Sequence, residues 1–172
     1  MEDGGDTGIM RMDEILDEIR AFDGVVEVAP REGDGAPQIA WGDHFFYYSP
    51  DGTVPQHTQP YATIVTKDYP DDTRSNLDAE GRWRLNIHVG SAKARQLVRD
   101  SASGDSASSI DASDVGFSGV DFSEVDTILP HPVYGHLGWI AIVNPGQRVG
   151  AAVLELLHDA HEDERRRVER RA

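Results

Sequence analysis

The sequence predicts an α+β fold: a two-layer sandwich in which a mostly antiparallel sheet of five to six strands carries two long helices on one face. Three observations lead there. One segment near each end places its apolar residues at helical spacing. Between them, strand-like segments follow one another with few intervening helices. A continuous apolar run, Trp139-Ile140-Ala141-Ile142-Val143, has the character of a central strand buried on both faces.

In chain order, residues 1–8 are rich in glycine and carboxylates and are expected to form a disordered leader, leaving 9–172 as a single domain. Met12, Ile15, Leu16, Ile19 and Phe22 mark one face of an amphipathic helix, and Gly24 supplies its stop. Val25–Val28 reads as a short strand. Gln38–Trp41 and His44–Tyr48, separated by Gly42-Asp43, are predicted to pair as a hairpin, because glycine at the first central position suits a type II′ turn. Tyr61–Thr66 and Trp83–Val89 are further strands, and Ser91–Arg99 suits a short helix. Composition then changes: residues from about 100 to 119 are dominated by serine, glycine and aspartate, which marks a surface insertion. Phe122, Val125, Ile128 and Leu129 suggest one or two helical turns before Pro130. Val149, Ala152, Val153, Leu156 and Ala160 define the last helix, expected to fray over 162–167.

Charge restricts the partners. Acidic residues outnumber basic ones 31 to 16, for a net charge of −15. Such a surface repels phosphate, so neither nucleic acid nor anionic membrane is an expected partner. Only Lys67 and Lys93 are lysine; every other basic residue is arginine. Abundant carboxylates with scarce lysine suggest a halophilic acidic protein, whose self-repulsion molar salt would screen. No run of apolar residues is long enough to span a bilayer, and the acidic N-terminus is unlike a secretory signal, so a soluble, cytoplasmic protein is expected. With no cysteine there is no thiol nucleophile, disulfide or iron–sulfur ligand.

The candidate site rests on strand alternation. Trp83, Leu85, Ile87 and Val89 share one face, toward the helices; Arg84, Asn86 and His88 share the other, successive members about 6–7 Å apart. A cation, an amide and an imidazole in line can recognise a carboxylate or phosphate, while the alternative reading is a solvated face of a half-exposed strand. Lys67, at the end of a strand, either joins that strip or pairs with Asp68. Tyr47 or Tyr48 faces the same open side. His131, before Pro132, is held out of helical geometry and suits the cap of a short turn. The expected function is a small-ligand or peptide-binding domain using Lys67, Arg84, Asn86, His88, His131 and Tyr47 against a small anionic ligand or an acidic peptide. The rivals are a hydrolase-like enzyme, metal-assisted or not, using His88 and His131, and a structural or partner-binding module.

Little in the sequence suits nucleophilic catalysis. No catalytic residue is assigned. No cofactor and no metal is expected, since Gly-x-Ser-x-Gly, His-Glu-x-x-His and phosphate-binding glycine loops are all absent. His158 and His161 are expected as a solvated pair. The oligomeric state is left open.

Four phrases also carry a resemblance: Ile39-Ala40-Trp41-Gly42-Asp43-His44-Phe45-Phe46-Tyr47, Thr63-Ile64-Val65-Thr66-Lys67-Asp68-Tyr69-Pro70, Arg84-Leu85-Asn86-Ile87-His88-Val89, and Leu129–Tyr134 through Asn144-Pro145-Gly146. Together they resemble an uncharacterised domain family common in actinobacteria and haloarchaea, over about residues 12–165. The Ser/Asp-rich stretch is longer than that family's usual form. The layout is more distantly similar to the MmcQ/YjbR proteins and their frataxin-like fold. That second likeness implies DNA binding, which the charge opposes, or iron binding by an acidic first helix. Asp13, Glu14, Asp17 and Glu18 form such a ridge, though salt adaptation produces the same pattern.

Overall fold

Strands that alternate between large apolar and polar residues can bury one face under helices and leave the other for a different use. The computed structural model, which describes residues 10–101 and 119–171, is built on that division. The expected leader and most of the Ser/Asp-rich insertion lie outside the described residues. The elements run α1 (Met12–Arg20), β1 (Val25–Val28), a 3-10 turn (Gln38–Ala40), β2 (His44–Tyr48), β3 (Ala62–Val65), β4 (Arg84–His88) and α2 (Ser91–Ser101). They continue with β5 (Leu129–Pro130), a second 3-10 turn (Gly135–Leu137), β6 (Trp139–Val143) and α3 (Gly150–Arg171). The six strands form one open sheet in the order β1-β2-β3-β4-β6-β5, with every neighbouring pair antiparallel. The α+β class predicted from the sequence is therefore correct.

Register fixes the two faces. Phe46 pairs with Ala62, Ala62 with Ile87 and Ile87 with Ile140, a row that meets Ile15 and Ile19 of α1, Ala94 and Val98 of α2, and Val153 and Leu157 of α3. All three helices thus cover the same face. The adjacent row, Phe45, Thr63, Asn86, Ala141 and Leu129, points the other way. β4 lies near the middle of the sheet and contributes to both rows. Pro130 sits in the edge strand β5, where a missing N–H costs no ladder bond.

Two glycines hold the layers together. Gly24 turns from α1 into β1 at φ +80°, and a Cβ there would lie 2.5 Å from the Tyr48 ring. Gly138, at φ +89°, passes so close to Gly90 that a Cβ would stand 2.6 Å from its carbonyl carbon.

Several local expectations are corrected. The Gln38–Tyr48 hairpin does not form; β2 pairs with β1 and β3 instead. Residues 38–40 curl into a 3-10 turn after Pro37, the Gly42 N–H donates to the Pro30 carbonyl, and Trp41 Nε1 donates to the Ala36 carbonyl. Residues 122–129 form no helix, because Asp126 adopts φ +52° and turns its carboxylate to the start of α3. There it accepts from the backbone N–H groups of Gly146 (2.7 Å), Arg148 (2.9 Å) and Val149 (3.1 Å), supplying acceptors to orphan donors at a helix start. α3 does not fray at 162 but runs to Arg171. Arg165 bridges Glu162 (2.6 Å) and Glu169 (3.0 Å), and Arg167 pairs with Glu164 (3.2 Å), all at the spacing that supports a helix.

His161 is buried rather than solvated. Its Nε2 donates to the Asp23 carbonyl (2.8 Å), which leaves Nδ1 to accept from the Tyr61 hydroxyl (2.9 Å). Packed among Phe22, Tyr48 and Tyr61, the ring is a core element tying α3 to the sheet.

Candidate functional site

An open sheet face beside three long connections need not stay open. Here the segments 29–42, 66–83 and 131–138, together with Gln59 and Pro60, rise around the side opposite the helices, enclosing a cleft of about 470 Å³. Its floor includes Phe45, Thr63, Arg84 and Asn86, while Tyr69, Tyr134 and Trp139 supply aromatic wall. The alternation predicted for 82–89 is therefore correct, but its polar side is not solvated: Arg84 is 2% exposed and Asn86 2%.

Burying a guanidinium is costly unless its charge is balanced and its N–H groups are used. Arg84 Nη1 donates to Asp72 Oδ1 (3.0 Å) and Ser75 Oγ (2.8 Å), Nη2 donates to Asp72 Oδ2 (2.5 Å), and Nε donates to Asn86 Oδ1 (2.8 Å). Asn86 Nδ2 in turn donates to Thr63 Oγ1 (3.0 Å). Burial alone would raise the Asp72 carboxyl, but the Arg84 guanidinium bonded to it prevails and holds it below its ordinary value. The pair is a bidentate ion pair, so the floor of the cleft is close to charge-neutral.

His131 stands over this network. It caps the turn that follows it, as expected: Nδ1 accepts from the backbone N–H groups of Val133 (3.1 Å) and Tyr134 (3.0 Å). Nε2 faces Arg84 Nη2 at 3.3 Å. Burial, with the Arg84 charge adding to it, pushes the ring's pKa down to about 3, so His131 is neutral at pH 7.

The remaining candidates fall elsewhere. Lys67 does not line the cleft and does not pair with Asp68; its Nζ donates to Asp43 Oδ1 (2.8 Å). Asp43, wholly buried, also accepts from the Thr66 N–H and hydroxyl (2.8 Å each) and from the Tyr69 hydroxyl. Lys67 is thus part of the clamp that holds one wall. Tyr47 is half-buried on the open face, where burial raises its hydroxyl pKa, but Phe45 is the β2 residue that reaches the cleft. His88 lines a separate hollow of about 300 Å³ with His57, Glu164 and Arg167. Its Nε2 donates to the Leu137 carbonyl (3.2 Å), and burial, with Arg167 nearby, lowers its pKa. Both His88 and His131 meet Trp139 edge-on, and Trp139 borders both hollows, so the two imidazoles line different spaces.

The sequence reading missed Asp72, Ser75, Tyr69 and Trp139. Asp72 was legible as part of a polar loop, Trp139 only as the first residue of the apolar strand run, and Tyr69 only within a phrase shared with the family. Among the described residues no group of three or more His, Asp or Glu side chains is placed to hold a metal ion, and no helix is long and apolar enough to cross a membrane.

Comparison with curated proteins and with solved structures finds no match. A family model does match, over residues 10–172, which takes in every element that builds the cleft; the chain belongs to the family of unknown function DUF6194.

Proposed function

We propose that this protein is a small-molecule-binding domain whose ligand sits on the open sheet face, in the cleft above Arg84 and Asn86. The observation that carries this reading is a concave, largely apolar-walled space of about 470 Å³ with a compact set of buried polar groups at its floor. That size and that distribution of polarity are typical of ligand sites.

Binding fits the floor better than chemistry does. A general base at neutral pH works best with a pKa near 7, whereas His131 is held at about 3. Thr63 Oγ1, at the floor, accepts from Asn86, and Ser75 Oγ, buried behind Arg84 and outside the cleft lining, accepts from Arg84. The concavity also favours a small ligand over the broad face of a protein partner.

A fragment library screened by thermal shift tests the reading when the Ala40→Trp variant is run beside the wild type. Ala40 lines the cleft from the short 3-10 turn, and an indole there fills the space. Hits should raise the melting temperature of the wild type and lose that effect in the variant. A screen without hits, or hits indifferent to A40W, would overturn the proposal.

A further inference from the structure

A guanidinium has five N–H groups and a neutral imidazole has one. Four of Arg84's five have acceptors: Asp72 takes two, Ser75 one and Asn86 one. The fifth, on Nη2, is directed at His131 Nε2, 3.3 Å away. That contact is a hydrogen bond only if Nε2 is bare. If it were, the ring's proton would sit on Nδ1, facing two backbone N–H groups at 3.0 and 3.1 Å. Three donors would then converge without an acceptor. Placing the proton on Nε2 satisfies both backbone groups and leaves a milder conflict, with Nε2–H and Nη2–H side by side at the cleft floor. Both side chains are more than nine-tenths buried, Arg84 at 2% and His131 at 4% exposure. Buried donors without acceptors are rare in native proteins and ask for an explanation.

We propose that these two N–H groups form a receptor for one acceptor oxygen of the ligand, and that the ligand is a neutral carbonyl compound with a flat apolar body. This rests on the reading of the cleft as a ligand site. One carbonyl oxygen has two lone pairs and can accept from both groups at once. A hydroxyl would bring a proton that needs an acceptor of its own. A carboxylate would enter a space where Asp72 already balances Arg84 and where Asp71 also lines the wall, within a protein of net charge −15. The body of the ligand follows from the walls: Phe45, Tyr69, Tyr134 and Trp139 offer aromatic surfaces to a planar apolar group.

Three probes of matched shape separate the possibilities: acetophenone, ethylbenzene and benzoate. Each is titrated into isotope-labelled protein, with binding read from amide shifts of the cleft residues and from the Trp139 indole N–H. His131→Asn is run alongside, because the asparagine Oδ1 can replace Nδ1 as the acceptor for Val133 and Tyr134 while nothing replaces Nε2–H.

Acetophenone should bind about tenfold more tightly than ethylbenzene, the scale of one well-made hydrogen bond. Benzoate should gain nothing over ethylbenzene. H131N should bring acetophenone down to ethylbenzene and leave ethylbenzene unchanged. Equal affinities for acetophenone and ethylbenzene in the wild type would overturn the acceptor site while leaving the cleft standing. That comparison holds even if the variant fails to fold. Acetophenone binding unmoved by H131N in a folded variant would overturn the role of His131. Benzoate binding most tightly would show an anion site instead. If none of the three perturbs a cleft residue, the cleft reading and the acceptor site fall together.

Discussion

Acidification should destabilise this protein, and His131 should account for a measurable share. In the unfolded chain its imidazole takes up a proton below its ordinary pKa of 6.5; in the fold, burial and Arg84 delay that to about 3. Between those two values the unfolded state binds a proton that the folded state refuses. Stability contributed by the neutral ring is therefore complete above pH 6.5, falls as pH drops, and is lost by about pH 3. Each pH unit in that interval costs about 1.4 kcal/mol, so lowering pH from 6.5 to 5 removes about 2 kcal/mol. His44, His88 and His161 are also held down by burial and act in the same direction. Urea unfolding at pH 7 and pH 5, for wild type and H131N, isolates the one ring, since asparagine does not titrate. The wild type should lose about 2 kcal/mol more than the variant over this range. Parallel losses in the two proteins would refute the buried, neutral state of His131.

Other outcomes follow from the packing and the charge. Gly138→Ala forces a Cβ into the Gly90 backbone at positive φ and should cost at least roughly 2 kcal/mol in chemical denaturation. Asp43→Ala strands Lys67, Tyr69 and Thr66 in one wall of the cleft; a loss of roughly 3–5 kcal/mol is expected, read as a fall in melting temperature. Asp126→Ala removes the acceptor for three backbone N–H groups at the start of α3 and should cost about 1–2 kcal/mol, on the scale of a lost helix cap. Molar KCl should raise the melting temperature by screening a net charge of −15, and a steady fall between dilute buffer and 2 M would contradict that.

The layered plan was legible because it depends on local periodicity. Trp139–Val143 is the strand its apolar run predicts, and β4 turns Leu85 and Ile87 to the helices as alternation requires. What lay beyond reach was the treatment of the other face. Whether Arg84 meets water or protein depends on loops that close over it, and its counter-ion, Asp72, lies twelve residues away in a segment with no regular period. Loop closure of this kind leaves no repeat in the sequence. The 38–48 hairpin failed for a related reason: Gly42 supports several turns, and the buried Asp43 carboxylate, reaching Thr66 and Lys67, selects one that is not a hairpin. His161 is buried, not solvated, because Tyr61 and the Asp23 carbonyl, both remote in sequence, meet its two ring nitrogens. Of the six candidate residues, Arg84, Asn86 and His131 line the cleft, whereas Lys67, His88 and Tyr47 serve or occupy other places.

Long-range ¹H–¹⁵N correlation of the His131 imidazole at pH 7 addresses the central claim most directly, because it reports which ring nitrogen carries the proton. A neutral ring protonated on Nε2, with Nδ1 bare, is predicted, leaving two buried donors side by side at the cleft floor. A ring protonated on Nδ1, or charged on both nitrogens, would contradict it.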